Sequence, residues 1–402
     1  MKTVVLVGTL DTKGAEYQYL RERLKLSGVK TLLVDVGTLE PPRAEPDISR
    51  YDVGAAAGVD VDALTAARDR GQAVSVMADA AAIVVKGLFA EGRCDGVLAA
   101  GGSGNTAIAT KAMRALPVGV PKLMVSTMAA GNTRDYIGAS DIALMASVTD
   151  VAGINSISGR ILANAAAAMA GMVNAPPVEL GEQRPLIAAT MFGVTTPSVT
   201  AAREELERRG YEVLTFHATG TGGRAMEALV ESGFVTGVLD ITTTEWADEL
   251  VGGILGAGPN RLDAAAANGT PAIIAPGCLD MVNFGAPDTV PAKFAGRRFY
   301  RHNPQVTLMR TTPEECAELG RILAEKVNAY RGPVTVLLPL RGISVISAPN
   351  GPFHWPEADA ALFGSIRQHL RPGSPLVELD AAINDAQFAG ACAQALLSGL
   401  KK

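Results

Sequence analysis

Two groups of residues in this chain are of types that could do chemistry. The first lies in Cys94 to Met113, CDGVLAAGGSGNTAIATKAM. There an apolar run, Gly96 to Ala100, stops at Gly101-Gly102-Ser103-Gly104-Asn105-Thr106, and a helical pattern follows at once. Strand, glycine turn and helix aim backbone N–H groups and a helix N-terminus at an anion, usually a phosphate. Ser103, Asn105 and Thr106 add short side-chain donors. The second group is His217, Glu245, Asp280 and His302, with Arg310 or Arg341 available to hold a carboxylate. Histidine, carboxylate and backbone donors are what proton transfer beside a developing oxyanion requires.

Each group has a plainer reading. Gly8-Thr9-Leu10-Asp11-Thr12-Lys13-Gly14 is not a P-loop, because no Ser or Thr follows the lysine and the glycine spacing is wrong. Gly102-x-Gly104-x-x-Ala107 matches a dinucleotide fingerprint, but the next strand ends in Ser126-Thr127, with no acid for a ribose diol. That argues against NAD. A single histidine is more often structural than catalytic, and Cys278 reads first as a small core residue. Thr311-Thr312-Pro313-Glu314-Glu315 reads as a helix N-terminus, with a Thr cap, an early proline and acids in the first turn.

The elements that must position these residues follow from periodicity. Short β-branched or apolar runs at Thr3–Val7, Thr31–Val34, Gly96–Ala100 and Lys122–Ser126 alternate with helical patterns, and each ends in a small polar loop. After Asn174-Ala175-Pro176-Pro177 the pattern begins again at Leu186–Thr190, Val213–Phe216, Gly237–Ile241, Ala272–Ala275 and Val334–Leu338. This predicts an α/β chain of two Rossmann-like, doubly wound parallel-sheet domains in tandem, 1–180 and 181–402. The helix Ile157–Val173, almost free of charge, belongs between layers or at an oligomer interface. In such sheets ligands collect beyond the C-terminal ends of the strands. In the first domain that edge carries Thr9, Asp11, Lys13 and Gly14, Asp35, Gly101 to Thr106, and Ser126-Thr127. Lys13 would neutralise a phosphate, Asp11 would hold a magnesium ion, and Asp35 would accept from ribose hydroxyls.

Composition narrows the classes. The 402 residues carry a net charge of −5, which argues against nucleic acid as an obligate partner. Cys94, Cys278, Cys316 and Cys392 are scattered with no CxxC, as expected of cytosolic thiols rather than a disulfide frame or a zinc site. The apolar start is too short for a signal peptide, and a soluble cytoplasmic protein, free of membranes, is the expectation.

Several stretches resemble a known family. GTLDTKG at 8–14, GGSGNTAIAT at 101–110, VPKLMVSTMAAGN at 120–132 and SVTDVAGIN at 147–155 are similar to the ATP-binding domain of the plant tobamovirus-resistance protein family and its bacterial homologues. FHATGTGGRAMEALVESG at 216–233, ITTTEWADELVGG at 241–253, PGCLDMVNFG at 276–285 and HNPQVTLMRTTPEE at 302–315 resemble the same family. The resemblance implies two Rossmann-like subdomains, ATP binding by the first-half loops, and a homodimer; Mg2+ is expected with the nucleotide. The antiviral role of the plant protein belongs to the plant–virus pair. The family pattern has a histidine before Ile-Asn-Asp, where this chain has Ala382.

Three functional expectations result. The preferred one is an ATP-binding protein that couples the nucleotide to chemistry on a small acid or to a conformational state. The second is a hydrolase or carbon–carbon lyase of a small oxo acid, with His217, Glu245, Asp280 and His302 handling protons. The third is a nucleotide-sensing scaffold without turnover.

Overall fold

A computed structural model of the chain describes residues 1–176 and 183–401. The chain divides into two compact units, Met1–Glu179 and Leu180–Lys402. The boundary expected near residue 180 falls outside the described residues.

The first unit runs β1 (Thr3–Gly8), α1 (Leu10–Leu26), β2 (Lys30–Asp35), α2 (Arg50–Ala56), α3 (Val61–Ala66), α4 (Arg70–Ala90), β3 (Gly96–Gly101), α5 (Ser103–Arg114), β4 (Lys122–Ser126), α6 (Arg134–Ile137), β5 (Ala143–Ala146) and α7 (Ser158–Asn174). Its five strands are parallel in the order β2-β1-β3-β4-β5. Alternate strand residues face opposite layers, as the two-residue strand period demands. Val4, Leu6, Leu98 and Val125 pack with α1 and α7, while Val5, Val7, Val97 and Met124 pack with α4 and α5. Helix α7 buries Leu162, Ala166, Met169 and Val173 in the first of these layers, and its one charged residue, Arg160, lies on the exposed side. Helix α4 is long and apolar enough to cross a membrane by length and composition. Here Ala73, Met77, Ala81 and Val85 of that helix are core residues.

One local expectation changes. The stretch Gly8–Gly14, read as a loop, enters α1 at Leu10. Leu10 is buried, and Asp11 lies in the helix's first turn, where an acid is favourable. Lys13, at φ −124°, interrupts the helical geometry.

The second unit runs β6 (Leu186–Met191), α8 (Thr196–Arg208), β7 (Glu212–His217), α9 (Thr221–Glu231), β8 (Val235–Thr242), α10 (Glu245–Val251), α11 (Asp263–Asn268), β9 (Ala272–Gly277), β10 (Met281–Phe284), β11 (Phe299–Asn303), β12 (Val306–Arg310), α12 (Pro313–Asn328), β13 (Val334–Pro339), α13 (Pro356–His369), β14 (Leu376–Leu379) and α14 (Ala386–Leu400). Six strands form a parallel sheet in the order β14-β13-β9-β8-β6-β7. Helices α8 and α14 cover one face and α9, α11, α12 and α13 the other. The start of α12 carries a full capping box: the Thr312 hydroxyl accepts from the Glu315 N–H, and the Glu315 carboxylate accepts from the Thr312 N–H. A separate antiparallel sheet, β10-β12-β11, was not expected. Its outer strand, FYRHN, is half-buried or exposed at every position and so lacks an apolar run.

Candidate functional site

The chain reverses direction across the first sheet between β1 and β3, and that is where a doubly wound sheet opens a crevice. The two strands pair only through Val4–Gly96, Val5–Val97 and Leu6–Leu98. Beyond that point the Tyr17 hydroxyl stands in for strand pairing. It donates to the Val7 carbonyl at 2.5 Å and accepts from the Ala100 N–H at 2.9 Å. It also accepts from the Asn105 amide at 2.8 Å, and that amide donates to the Ala100 carbonyl at 3.0 Å. Tyr17 and Asn105 therefore hold the split ends of the two strands. The crevice above them has a volume of about 280 Å³, and Thr9, Asp11, Lys13, Arg70, Ser103 and Gly104 are among its walls.

The glycines of this region are not equivalent. A Cβ at Gly101 would lie 2.9 Å from the Asn105 Cβ, and one at Gly14 would lie 2.7 Å from the Arg43 backbone. Those two glycines are required by packing. A Cβ at Gly102 would have only the Thr127 hydroxyl within reach, at 3.8 Å, and one at Gly104 would meet Arg70 and Val74 at 3.7 Å. Neither residue has a positive φ. No protein atom needs the space that Gly102 and Gly104 leave, and that space lies at the N-terminus of α5. Gly102 is the cap residue and makes no side-chain cap bond.

The charged groups divide in the same way. Asp11 is 2 % exposed, and its Oδ2 accepts from the Leu39 N–H at 2.9 Å, while its Oδ1 has no partner. Lys13 lines the crevice and donates to the Val151 carbonyl, so part of its donor capacity belongs to the loop after β5. Thr9 stands at the N-cap position of α1 without a side-chain cap bond, its hydroxyl 3.2 Å from that of Thr12. Asp35 is corrected. It does not line the crevice, and its two oxygens take the Arg50 guanidinium at 2.7 Å and the N–H groups of Leu10 and Gly37. A buried carboxylate so occupied has nothing to offer a ribose. Thr106 is likewise structural, donating to Gly102 or sharing a 2.7 Å bond with Ser126. Thr127 opens onto a neighbouring hollow. Arg70, at the first turn of α4, was missed, since no local pattern ties residue 70 to residue 104.

In the second unit the four proton-transfer candidates are not brought together. No hydrogen bond or ion pair among the described residues joins any two of them. His217 is exposed, its ring 5.4 Å from that of Phe192, and His302 is exposed on β11. Glu245 is buried, with Oε1 accepting from the Gly220 and Gly223 N–H groups at 2.6 and 3.0 Å. The anion-friendly turn before α9 is thus filled by the chain's own carboxylate. Glu245 also takes Arg261 Nε at 2.7 Å, and the rest of that guanidinium binds Asp240 and Glu227. Asp280 is fully buried and accepts from Ser344 at 2.8 Å. Burial raises its carboxyl to about 6 against the pull of nearby Arg310. Arg310 itself is held by Asp359 at 2.5 Å, and Arg341 pairs with Asp380 on the surface.

One neighbour of Glu245 gives a pH dependence. Asp248 is raised by burial to about 7, despite hydrogen bonds from the Asn283 side chain and backbone. A carboxyl raised in the folded state stabilises when protonated, so its contribution is full below about pH 4 and is lost as pH rises to about 7. We expect the second unit's stability to fall across that window, by at most about 1.4 kcal/mol per pH unit from this group. In Asp248→Asn the slope in denaturant titrations should largely vanish between about pH 6 and 7 and be reduced below that, where Asp280, raised to about 6, still contributes. An unchanged slope would assign the titration elsewhere. Asn283 Oδ1 has no partner, so rotating that amide supplies an acceptor for the Asp248 proton.

Comparison with known proteins matches residues 2–177 to the N-terminal domain of an uncharacterised protein family (UPF0261) and residues 184–400 to its C-terminal domain. A UPF0261 protein of Clostridium tetani is 48% identical over 402 residues, covering 100% of both chains. The ToMV resistance protein Tm-1(GCR237) of Solanum lycopersicum is 40% identical over 416 residues, covering 98% of this chain and 55% of the tomato protein. Among solved structures, the UDP-N-acetylglucosamine 2-epimerase of Rickettsia bellii is 11% identical and covers 100% of this chain and 97% of that one. Its TM-score is 0.24, too slight a likeness to carry an inference about function.

Proposed function

The chain belongs to the uncharacterised protein family UPF0261, and from that footing we propose that its first unit binds ATP with magnesium in the β1–β3 crevice. The observation that carries this reading is the space at Gly102 and Gly104, kept open at a helix N-terminus where no packing requires it. A helix N-terminus favours a phosphate through its free N–H groups and its dipole. Arg70 and Lys13 on the walls supply positive charge. The partnerless Oδ1 of Asp11 fits a magnesium ion, which is commonly held by one or two carboxylates together with substrate phosphates and water. Bound there, the metal would neutralise phosphate charge. A second hollow of about 520 Å³ adjoins the crevice through Thr38, Leu39 and Arg70, and Leu64, Ala66 and Ala73 give it apolar walls suited to a base.

The alternative, a hydrolase or lyase site in the second unit, has less support, because Glu245 and Asp280 are buried in bonds of their own. The test of the preferred reading is a thermal-shift titration with MgATP. A ligand at about 100 times its Kd stabilises the native state by about 2.7 kcal/mol, which a unit of this size reports as a rise of several degrees. No shift at millimolar MgATP sinks the reading.

A further inference from the structure

We propose that the hollow beyond Asp150 takes a neutral polyhydroxylated substrate, and that the first unit transfers the terminal phosphoryl group of its nucleotide to one of that substrate's hydroxyls. This rests on the nucleotide reading above. Three hollows lie in series along the C-terminal edge of the first sheet. The one next to the end of β2, with Leu64, Ala66 and Ala73 on one wall, shares Thr38, Leu39 and Arg70 with the crevice. The crevice in turn shares Asp150 with a third hollow of about 410 Å³ at the ends of β4 and β5. A nucleotide with its base in the first hollow and its phosphates at the start of α5 directs its terminal phosphate toward Asp150.

The loop that carries Asp150 is fixed at several points. Lys13 donates to the Val151 carbonyl, and Glu16 accepts from the Gly153 N–H at 2.6 Å. Ser158 donates to the Gly153 carbonyl at 3.0 Å, and Ser147 to the Thr149 carbonyl at 2.6 Å. Within this loop Val148 has a φ of +61° and is 81 % exposed. A β-branched residue in the left-handed region is strained, and such strain collects where a site is held in shape. Burial of the Val148 side chain does not account for it.

The lining names the ligand class. Thr127 and Thr149 bring hydroxyls and Asp150 a carboxylate, the Ser147 hydroxyl being taken by the Thr149 carbonyl, and no Lys, Arg or His is among the described residues around the hollow. A substrate carboxylate would meet no cation there, whereas a polyol finds both donors and acceptors. This moves the substrate away from the small acid expected from sequence. In the transfer, a substrate hydroxyl oxygen bonds to the γ-phosphorus as the bond from that phosphorus to the β–γ bridging oxygen breaks. The nucleoside diphosphate leaves, and the hydroxyl proton passes to the Asp150 carboxylate. The α5 N-terminus and Arg70 oppose the charge on the transferring group.

The experiment incubates the full chain with MgATP and, in turn, glycerol, xylitol, sorbitol and myo-inositol. Phosphorus NMR follows phosphomonoester formation, and the MgATP thermal shift is measured alongside. The expected result is a phosphomonoester from at least one polyol. Ala146→Phe or Ala130→Phe, which fill the third hollow from its rim, should cut its formation about 100-fold while keeping the MgATP shift. Asp150→Asn should cut it about 100-fold or more. A MgATP shift with no phosphomonoester from any of these polyols overturns the inference and leaves the nucleotide reading standing. So does an unchanged rate in both filled variants. No MgATP shift in the unmodified chain overturns the nucleotide reading and this inference with it.

Discussion

Arg261→Met is expected to lower the stability of the second unit by about 3–5 kcal/mol, because removing one partner of a buried ion pair leaves uncompensated charge. Arg261 is 1 % exposed and meets three carboxylates. Nη1 and Nη2 bind Asp240 at 2.6 and 2.8 Å, Nε binds Glu245 at 2.7 Å, and Nη1 reaches Glu227 at 3.1 Å. These carboxylates are fixed by further donors. Thr190 donates to Asp240, Gly220 and Gly223 to Glu245, and Leu262 and Ala264 to Glu227. None can swing to water without breaking those bonds. Methionine fills much of the volume, so the loss reports charge rather than a cavity. Arg261→Lys should recover only part of it, since an ammonium cannot reproduce the fork on Asp240. For a unit of this size the loss is a fall of about 6–20 °C in its thermal transition. A fall of less than about 1 kcal/mol would mean that the cluster relaxes around water and that no buried charge is left uncompensated.

Gly104→Glu is expected to weaken MgATP binding about 100-fold, or about 2.7 kcal/mol, without unfolding the first unit. A Cβ at this position has ordinary contacts only, at 3.7 Å from Arg70 and Val74. An acid in the first turn of a helix is itself favourable by about 0.3–1 kcal/mol. The ligand-free melting temperature should therefore hold or rise slightly. The new carboxylate, however, occupies the anion position at the start of α5 and engages Arg70, so a phosphate meets a filled site of like charge. Gly104→Ala is the control, expected to fold normally and to weaken binding by about tenfold at most. The Kd from isothermal titration decides the matter, and unchanged affinity in Gly104→Glu would place the phosphates elsewhere. The same helix-terminus logic applies at the start of α9, where Glu245 already sits on the Gly220 and Gly223 N–H groups.

The alternation of strand and helix was legible in the sequence, because periodicity and turn residues act over a few positions. Each apolar run from Thr3–Val7 to Val334–Leu338 lies in a parallel strand. The capping box at Thr312–Glu315 was legible for the same reason. The glycine turn at 101–104 could be found, but its parts could not be ranked. Whether a glycine is required depends on what faces it, and Gly101 faces Asn105 while Gly102 and Gly104 face open space. The start of α1 inside Gly8–Gly14 was misread because the glycines looked like loop signals, whereas Gly14 packs on Arg43.

Sequence alone determined the two α/β units and the polar loops at the C-terminal ends of their strands, since both follow from local pattern. Only the tertiary structure decided which polar groups on that edge are free. Asp11 and Asp35 are similar in type and in place along the chain. Yet Arg50 folds onto Asp35, while one oxygen of Asp11 is left without a partner. Glu245, Asp240 and Glu227 are claimed by an arginine 16 to 34 residues away. Burying a charge is costly without a partner, so the fold pairs whatever carboxylates it encloses. Those pairings join distant parts of the chain, and no local spacing reveals them.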